Sequence, residues 1–129
     1  MAGRDSLRLP KLVGDSLAAI GRIGRARSPR EACGLLLPHP DALDRVVIEL
    51  PNRSLTPDFE YEFKAEDAAI ELEAGHRDGW HLIDEVAIWH THPAGLIGPS
   101  DQDVARKIPG VHYLVVALDE DGSNIPTWF

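Results

Sequence analysis

Trp89-His90-Thr91-His92-Pro93-Ala94-Gly95-Leu96-Ile97-Gly98-Pro99-Ser100-Asp101-Gln102-Asp103 is the stretch around which the rest of the chain can be ordered. In an extended segment residues two apart point to the same side, so His90 and His92 can aim both imidazoles at one point; on a helix they would diverge. The run before them, Glu85-Val86-Ala87-Ile88-Trp89, is apolar and β-branched enough to be that strand. Seven residues carrying Gly95, Gly98 and Pro99 then shape a loop. Ser100-x-x-Asp103 reads as a capping pair that opens a short helix. The unit is strand, loop, helix, and the helix would return Asp103 toward the histidines.

A catalytic zinc ion takes three protein ligands and keeps a fourth position open. His90, His92 and Asp103 supply three, and zinc lowers the pKa of water enough to make hydroxide available near neutral pH. Amide hydrolysis also needs a carboxylate to carry a proton from water to the leaving nitrogen. Glu31, at the mouth of the apolar run Glu31-Ala32-Cys33-Gly34-Leu35-Leu36-Leu37, is the candidate. The Ser100 hydroxyl is placed to donate to a developing oxyanion. Each fragment has a plainer meaning, since His-x-His is common on strands and Ser-x-x-Asp is a helix cap. Four specified residues at fixed offsets arise by chance in a chain this long at a rate on the order of 10⁻³, so the combination carries the weight.

Taken in order, the chain opens on a loose tail to about residue 9. Leu12, Val13, Leu17, Ile20 and Ile23 recur at helical steps from Pro10 to about Ile23, and Ser28-Pro29 ends the pattern. Glu31 to Leu37 is a short strand closed by Pro38-His39-Pro40, and Arg45 to Leu50 a second, antiparallel to it. Pro51 to Pro57 is a loop. Phe59, Tyr61 and Phe63 alternate with Glu60, Glu62 and Lys64, the period of a half-buried strand. Ala65 to about His76 is a helix with acids toward solvent, which Gly79 helps to end. The strand to Trp89, the motif loop and a helix from Ser100 to about Lys107 follow. Val111 to Leu118 is a buried strand, Asp121-Gly122 a tight turn, and Ile125 to Phe129 a last strand. The fold class expected is α/β (α+β), a mixed β-sheet flanked by helices.

The 129 residues suit one domain, residues 1–129, able to bury a core without staples. Cys33 is the only cysteine, which fits a reducing compartment. With no stretch as apolar and long as a membrane span and no signal core, the expectation is a cytoplasmic protein without a membrane partner. The net charge of −8 argues against nucleic acid as the main partner. Residues 1–30 nevertheless hold seven basic and two acidic side chains. Arg22, Arg25, Arg27 and Arg30 are read as cations near a helix C-terminus on a solvated face.

His90-x-His92, seven residues, Ser100-x-x-Asp103, with Glu31-Ala-Cys-Gly-Leu-Leu upstream, resembles the JAMM/MPN metalloprotease domain of prokaryotic type, over nearly the whole chain. The resemblance implies a JAB/MPN-like, cytidine-deaminase-like architecture. It implies one Zn2+ per chain on His90, His92 and Asp103, with Glu31 as general acid/base and Ser100 as oxyanion helper. It also implies a substrate, a peptide or isopeptide bond that often follows the tail of a ubiquitin-like protein. Asn52, Thr56-Pro57-Asp58-Phe59 and the acidic helix after Phe63 are similar to the corresponding run in several prokaryotic members, among them peptidases of phage tail assembly. A phage tail protein is therefore an alternative substrate, with a bacterial, archaeal or phage genome as the source. Unlike in those tail peptidases, no following cell-wall amidase domain is expected, and the chain is too compact for the long insertions with which eukaryotic deubiquitinases grip ubiquitin.

Two other function classes compete. A metal-free MPN scaffold usually lacks one or more ligands, whereas this chain keeps them all. A zinc nucleobase deaminase needs His-x-Glu with Pro-Cys-x-x-Cys, which one cysteine excludes. His39, His76, His81 and His112 have no partner at ligand spacing, and Cys33 reads as a small core residue. Trp80, Trp89 and Trp128 read as core or sheet-edge aromatics, with Trp89 also a candidate lining for a substrate groove.

Overall fold

The computed structural model describes residues 14–37, 45–77 and 86–129, the side chains of 75–77 excepted. Among these, α1 (Gly14–Arg27) is followed by β1 (Cys33–Leu37), β2 (Val46–Leu50), α2 (Ala65–Arg77), β3 (Ala87–His92), α3 (Asp101–Ala105), β4 (His112–Leu118) and β5 (Asn124–Trp128). The strands form one sheet in the order β2-β1-β3-β4-β5. β3 and β4 are parallel and every other neighbouring pair is antiparallel. The expected mixed sheet with helices is thus the observed fold.

Alternation along the strands sorts side chains onto two faces. Leu36, Ala87, Trp89, Leu114, Val116 and Leu118 point toward α1 and pack with Ile20, Leu17 and Ile23. Leu35, Leu37, Ile88 and Leu50 point the other way, against Ala68 and Leu72 of α2 and Phe63. His90 and His92 belong by alternation to this second face. The candidate site therefore lies on the side of the sheet away from α1.

α1 runs on to Arg27, past the end at Ile23 that its apolar stripe predicts. The next sheet-facing residue is Gly24, which is buried yet offers no apolar side chain to read. It brings the helix close, since a Cβ there would sit 2.8 Å from both Thr91 Cγ2 and Leu118 Cδ1. The predicted start at Pro10, the Pro38–Pro40 turn, Gly79, Trp80, His39 and His81 lie outside the described residues, as does the side chain of His76.

Two expectations are corrected. Residues 59–64 do not form a strand. Their alternation reports side-chain direction correctly at Tyr61 and Phe63, both half-buried, but Phe59 is 81 % exposed in a turn. The backbone here bonds to the preceding loop: Glu60 N–H donates to Thr56 O, Glu62 N–H to Asn52 Oδ1, and Glu62 O accepts from Arg53 N–H. Trp89 lines no groove. It is 0 % exposed, and its indole N–H donates to Leu35 O and Ile48 O across Gly34. No helix among the described residues is long and apolar enough to cross a membrane.

Candidate metal centre

The β1–β3 ladder delivers Glu31. Cys33 pairs with His90. One step on, Thr91 N–H donates to Ala32 O at 3.0 Å and Ala32 N–H donates to Thr91 Oγ1 at 3.0 Å. The same antiparallel progression puts Glu31 opposite His92, and residues opposite each other share a face. The Glu31 carboxylate and the two imidazoles accordingly have ligand atoms within 4.8 Å of one another, all three side chains buried. The loop after β2 fixes the Glu31 backbone, whose N–H donates to Pro57 O and whose carbonyl accepts from Asn52 Nδ2, each at 2.8 Å.

The loop after β3 delivers the rest. Gly95 N–H donates to His92 O, and Gly95 turns at φ +86, a conformation glycine adopts without strain. The chain then doubles back far enough for Leu96 O to accept from His92 Nδ1 at 3.0 Å, which leaves Nε2 of that ring free to bind. Ser100 caps α3 through a reciprocal box: Asp103 N–H donates to Ser100 Oγ at 3.1 Å and Ser100 N–H to Asp103 Oδ2 at 2.9 Å. The cap aims Asp103, so its structural and functional meanings coincide.

Asp103 Oδ2 lies 3.1 Å from His90 Nε2 and 3.2 Å from His92 Nε2. Tetrahedral zinc with bonds near 2.0–2.1 Å separates its ligand atoms by about 3.3 Å. Both separations from Asp103 Oδ2 are close to that value. Glu31 is a rival third ligand, since its carboxylate shares the same neighbourhood. Two carboxylates, Asp103 and Glu31, thus stand beside the same pair of imidazoles.

The electrostatics of the two carboxylates differ. Burial pushes the Glu31 carboxyl up to about 7; His92 pulls it down, while Asp103 and Glu60 push it further up. Its Oε1 is buried without a hydrogen-bond partner among the described residues. Burial also works against ionisation of Asp103, but hydrogen bonds from His90 and His92 and from the Ser100 backbone outweigh it and hold this carboxyl below the usual carboxylate range. Burial lowers His90, against the opposing pull of Asp103, and so favours the neutral imidazole a metal requires. Burial lowers His92 as well, yet its bonds to Asp103 and Leu96 O prevail and raise it.

All five residues expected from the sequence, Glu31, His90, His92, Ser100 and Asp103, thus meet on one face. Three contributors were not expected. The Leu96 carbonyl is a backbone group and leaves no sequence signal. Asn52 was visible only as part of a resembling run. Tyr61, stacked on His90 with ring centroids 4.3 Å apart, was legible only as an inward-facing aromatic. Cys33 is a core residue as expected: it is buried, and burial, Glu49 and Glu31 push its thiol up to about 12. His112 sits at the start of β4 beside Ala87, at the far end of β3 from His92.

Comparison with known proteins places this geometry in context. The family described as prokaryotic homologs of the JAB domain matches residues 15–128. The solution structure of a protein from Desulfitobacterium hafniense is similar with a TM-score of 0.71 and 26 % identity, covering 92 % of this chain and 81 % of that one. A protein from Salinibacter ruber shares the fold at a TM-score of 0.56 and 24 % identity, over 92 % of this chain and 79 % of its own. No curated protein matches. On the strength of a family match that spans all five strands and the whole of the candidate site, the chain belongs to the JAB/MPN domain family in its prokaryotic form.

Proposed function

We propose that this protein is a zinc-dependent peptidase that hydrolyses a peptide or isopeptide bond, with the bond following the C-terminal tail of a ubiquitin-like protein as the favoured substrate. The observation that carries the reading is the position of Asp103 Oδ2, 3.1 and 3.2 Å from the two imidazole Nε2 atoms, with a buried carboxylate from the neighbouring strand on the same face. His90, His92 and Asp103 would hold the metal. Bound there, zinc supplies Lewis acidity that polarises a carbonyl and acidifies water.

The chain's own residues supply the remainder. Glu31, with one carboxylate oxygen unpaired, takes a proton from the attacking water and delivers it to the leaving nitrogen. A group that must first accept and then release a proton works best with a pKa near the working pH, and in the metal-free protein burial moves the Glu31 carboxyl upward in that direction. Ser100 Oγ accepts from the Asp103 N–H, so its own hydroxyl hydrogen is free to donate to the oxyanion as the carbonyl becomes tetrahedral. Gly95 and Leu96 fix the His92 ring, and the α3 cap fixes Asp103. Each group is thus oriented before substrate arrives.

The test is incubation with a panel of ubiquitin-like fusions and phage tail proteins, with Glu31→Gln as the control. Cleavage of a ubiquitin-like fusion by wild type alone supports the reading. Cleavage confined to tail proteins replaces the substrate, and equal cleavage by Glu31→Gln rejects the mechanism.

A further inference from the structure

A metal-binding imidazole ordinarily donates its second ring N–H to an acceptor, which fixes both tautomer and ring orientation. His92 does so, through Leu96 O. His90 does not: its Nδ1 is buried with no hydrogen-bond partner among the described residues, although the residue is 0 % exposed. The ring is thus hydrogen-bonded only through Nε2, to Asp103, and on its Nδ1 side it is held by packing.

Three rings surround it. His92 and Phe129 present edges, with centroids at 5.0 and 6.4 Å and interplanar angles of 73° and 83°. Tyr61 lies flat against it, at 4.3 Å and 23°. A face-on neighbour at that distance blocks rotation of the imidazole about its Cβ–Cγ bond, because the turning ring would strike it. The edge-on contacts leave more freedom.

We propose that Tyr61 is a positioning residue whose ring holds His90 with Nε2 directed at Asp103, the task that the Leu96 carbonyl performs for His92. The proposal rests on the metal reading of the site. Tyr61 is itself anchored on both sides. Before it, Glu60 takes Arg106 at 3.0 Å and Gln102 at 3.1 Å, which ties the loop to the helix carrying Asp103. After it, the Glu62 backbone bonds to Asn52 and Arg53. The stacking surface is therefore braced against the same elements that hold Asp103 and Glu31. The role belongs to the ring and not to the hydroxyl, so phenylalanine should replace tyrosine and an aliphatic residue should not.

The experiment compares wild type, Tyr61→Phe and Tyr61→Leu by zinc affinity in chelator competition and by the proton shifts of the His90 ring in the metal-free protein. Tyr61→Phe should bind zinc within about threefold of wild type, whereas Tyr61→Leu should bind 10- to 100-fold more weakly, the range typical for lost support behind a ligand. The His90 ring protons should keep their ring-current shifts in Tyr61→Phe and lose them in Tyr61→Leu. Wild-type affinity in Tyr61→Leu, beside a wild type that binds zinc, overturns the positioning role alone. Affinity as weak in Tyr61→Phe as in Tyr61→Leu moves the role to the hydroxyl and overturns the proposal as stated. A wild type that takes up no zinc overturns the metal reading, while unchanged His90 shifts in Tyr61→Leu overturn the stack whatever the metal result. Tyr61→Met serves in place of Tyr61→Leu if the latter does not fold.

Discussion

Glu31 stands opposite His92, one step beyond Ala32 and Thr91, so the register of β1 against β3 brings its carboxylate to the imidazole. The β1–β3 register and the hydrogen bonds of Glu31 to Asn52 and Pro57 in the loop after β2 together determine how these groups meet. The arrangement has a cost: a carboxylate whose one oxygen is buried and unpaired is a group the fold would be more stable without.

That cost is measurable through pH. The folded Glu31 carboxyl is raised from 4.5 to about 7, so its contribution to stability is fully present below about pH 4.5 and is lost as pH rises through 7. At pH 8 the penalty is on the order of 3 kcal/mol, at 1.36 kcal/mol per pKa unit. Metal-free Glu31→Gln should therefore equal wild type near pH 4.5 and exceed it at pH 8 by a few kcal/mol in urea denaturation, while being inactive. Parallel stability curves for the two proteins would reject the burial penalty.

Asn52 should matter more than its loop position suggests. Its amide donates to Glu31 O and Glu60 O and accepts from Ser54 N–H and Glu62 N–H. Asn52→Ala strands several backbone groups and is expected to cost about 2–4 kcal/mol. Because Glu31 loses a backbone anchor directly while His90 loses only one of the bonds bracing Tyr61 behind it, turnover should fall further than zinc affinity. Thermal melts and elemental analysis of one preparation check both halves; loss of zinc with stability intact would contradict the assignment.

Much of this was readable in advance, and the reasons are specific. His90 and His92 declare a strand because two imidazoles at a spacing of two converge only there, and Ser100 with Asp103 declares a helix start. The β4–β5 hairpin follows from a buried run and Asp121-Gly122, and Gly122 indeed has φ +94. What was not legible depends on partners distant in sequence. The 59–64 segment has strand alternation, but Asn52 takes up the Glu62 N–H that a neighbouring strand would need. The last turn of α1 was hidden because Gly24 buries itself by having no side chain.

Gly34 makes a second hidden demand. A Cβ there would lie 1.9 Å from Ile48 O and 2.8 Å from Trp89 Nε1, which is backbone and a fixed ring rather than flexible side-chain ends. Gly34→Ala should destabilise by about 2 kcal/mol or more by forcing β1 and β2 apart or displacing the indole. A fall in melting temperature with altered tryptophan fluorescence is the expected result, and an unchanged melt would show that the strands can yield.

Ser100 separates structure from catalysis. Ser100→Ala removes the oxygen that accepts Asp103 N–H, worth about 1 kcal/mol of stability. Under the proposed mechanism it also removes the oxyanion donor, an expected loss of about 10²–10³ in kcat. The backbone bond from Ser100 N–H to Asp103 Oδ2 survives, so zinc should stay bound. Steady-state kinetics should show the loss in kcat with KM little changed. A loss expressed only in KM would place Ser100 in substrate binding.

The most direct test of the account is the zinc content of wild type, Asp103→Ala, His90→Ala and Glu31→Gln after zinc exposure and exhaustive dialysis. About one ion per chain is expected in wild type and in Glu31→Gln, and essentially none in Asp103→Ala or His90→Ala. Zinc retained by Asp103→Ala and lost from Glu31→Gln would exchange the roles of the two carboxylates and contradict the mechanism proposed for this site.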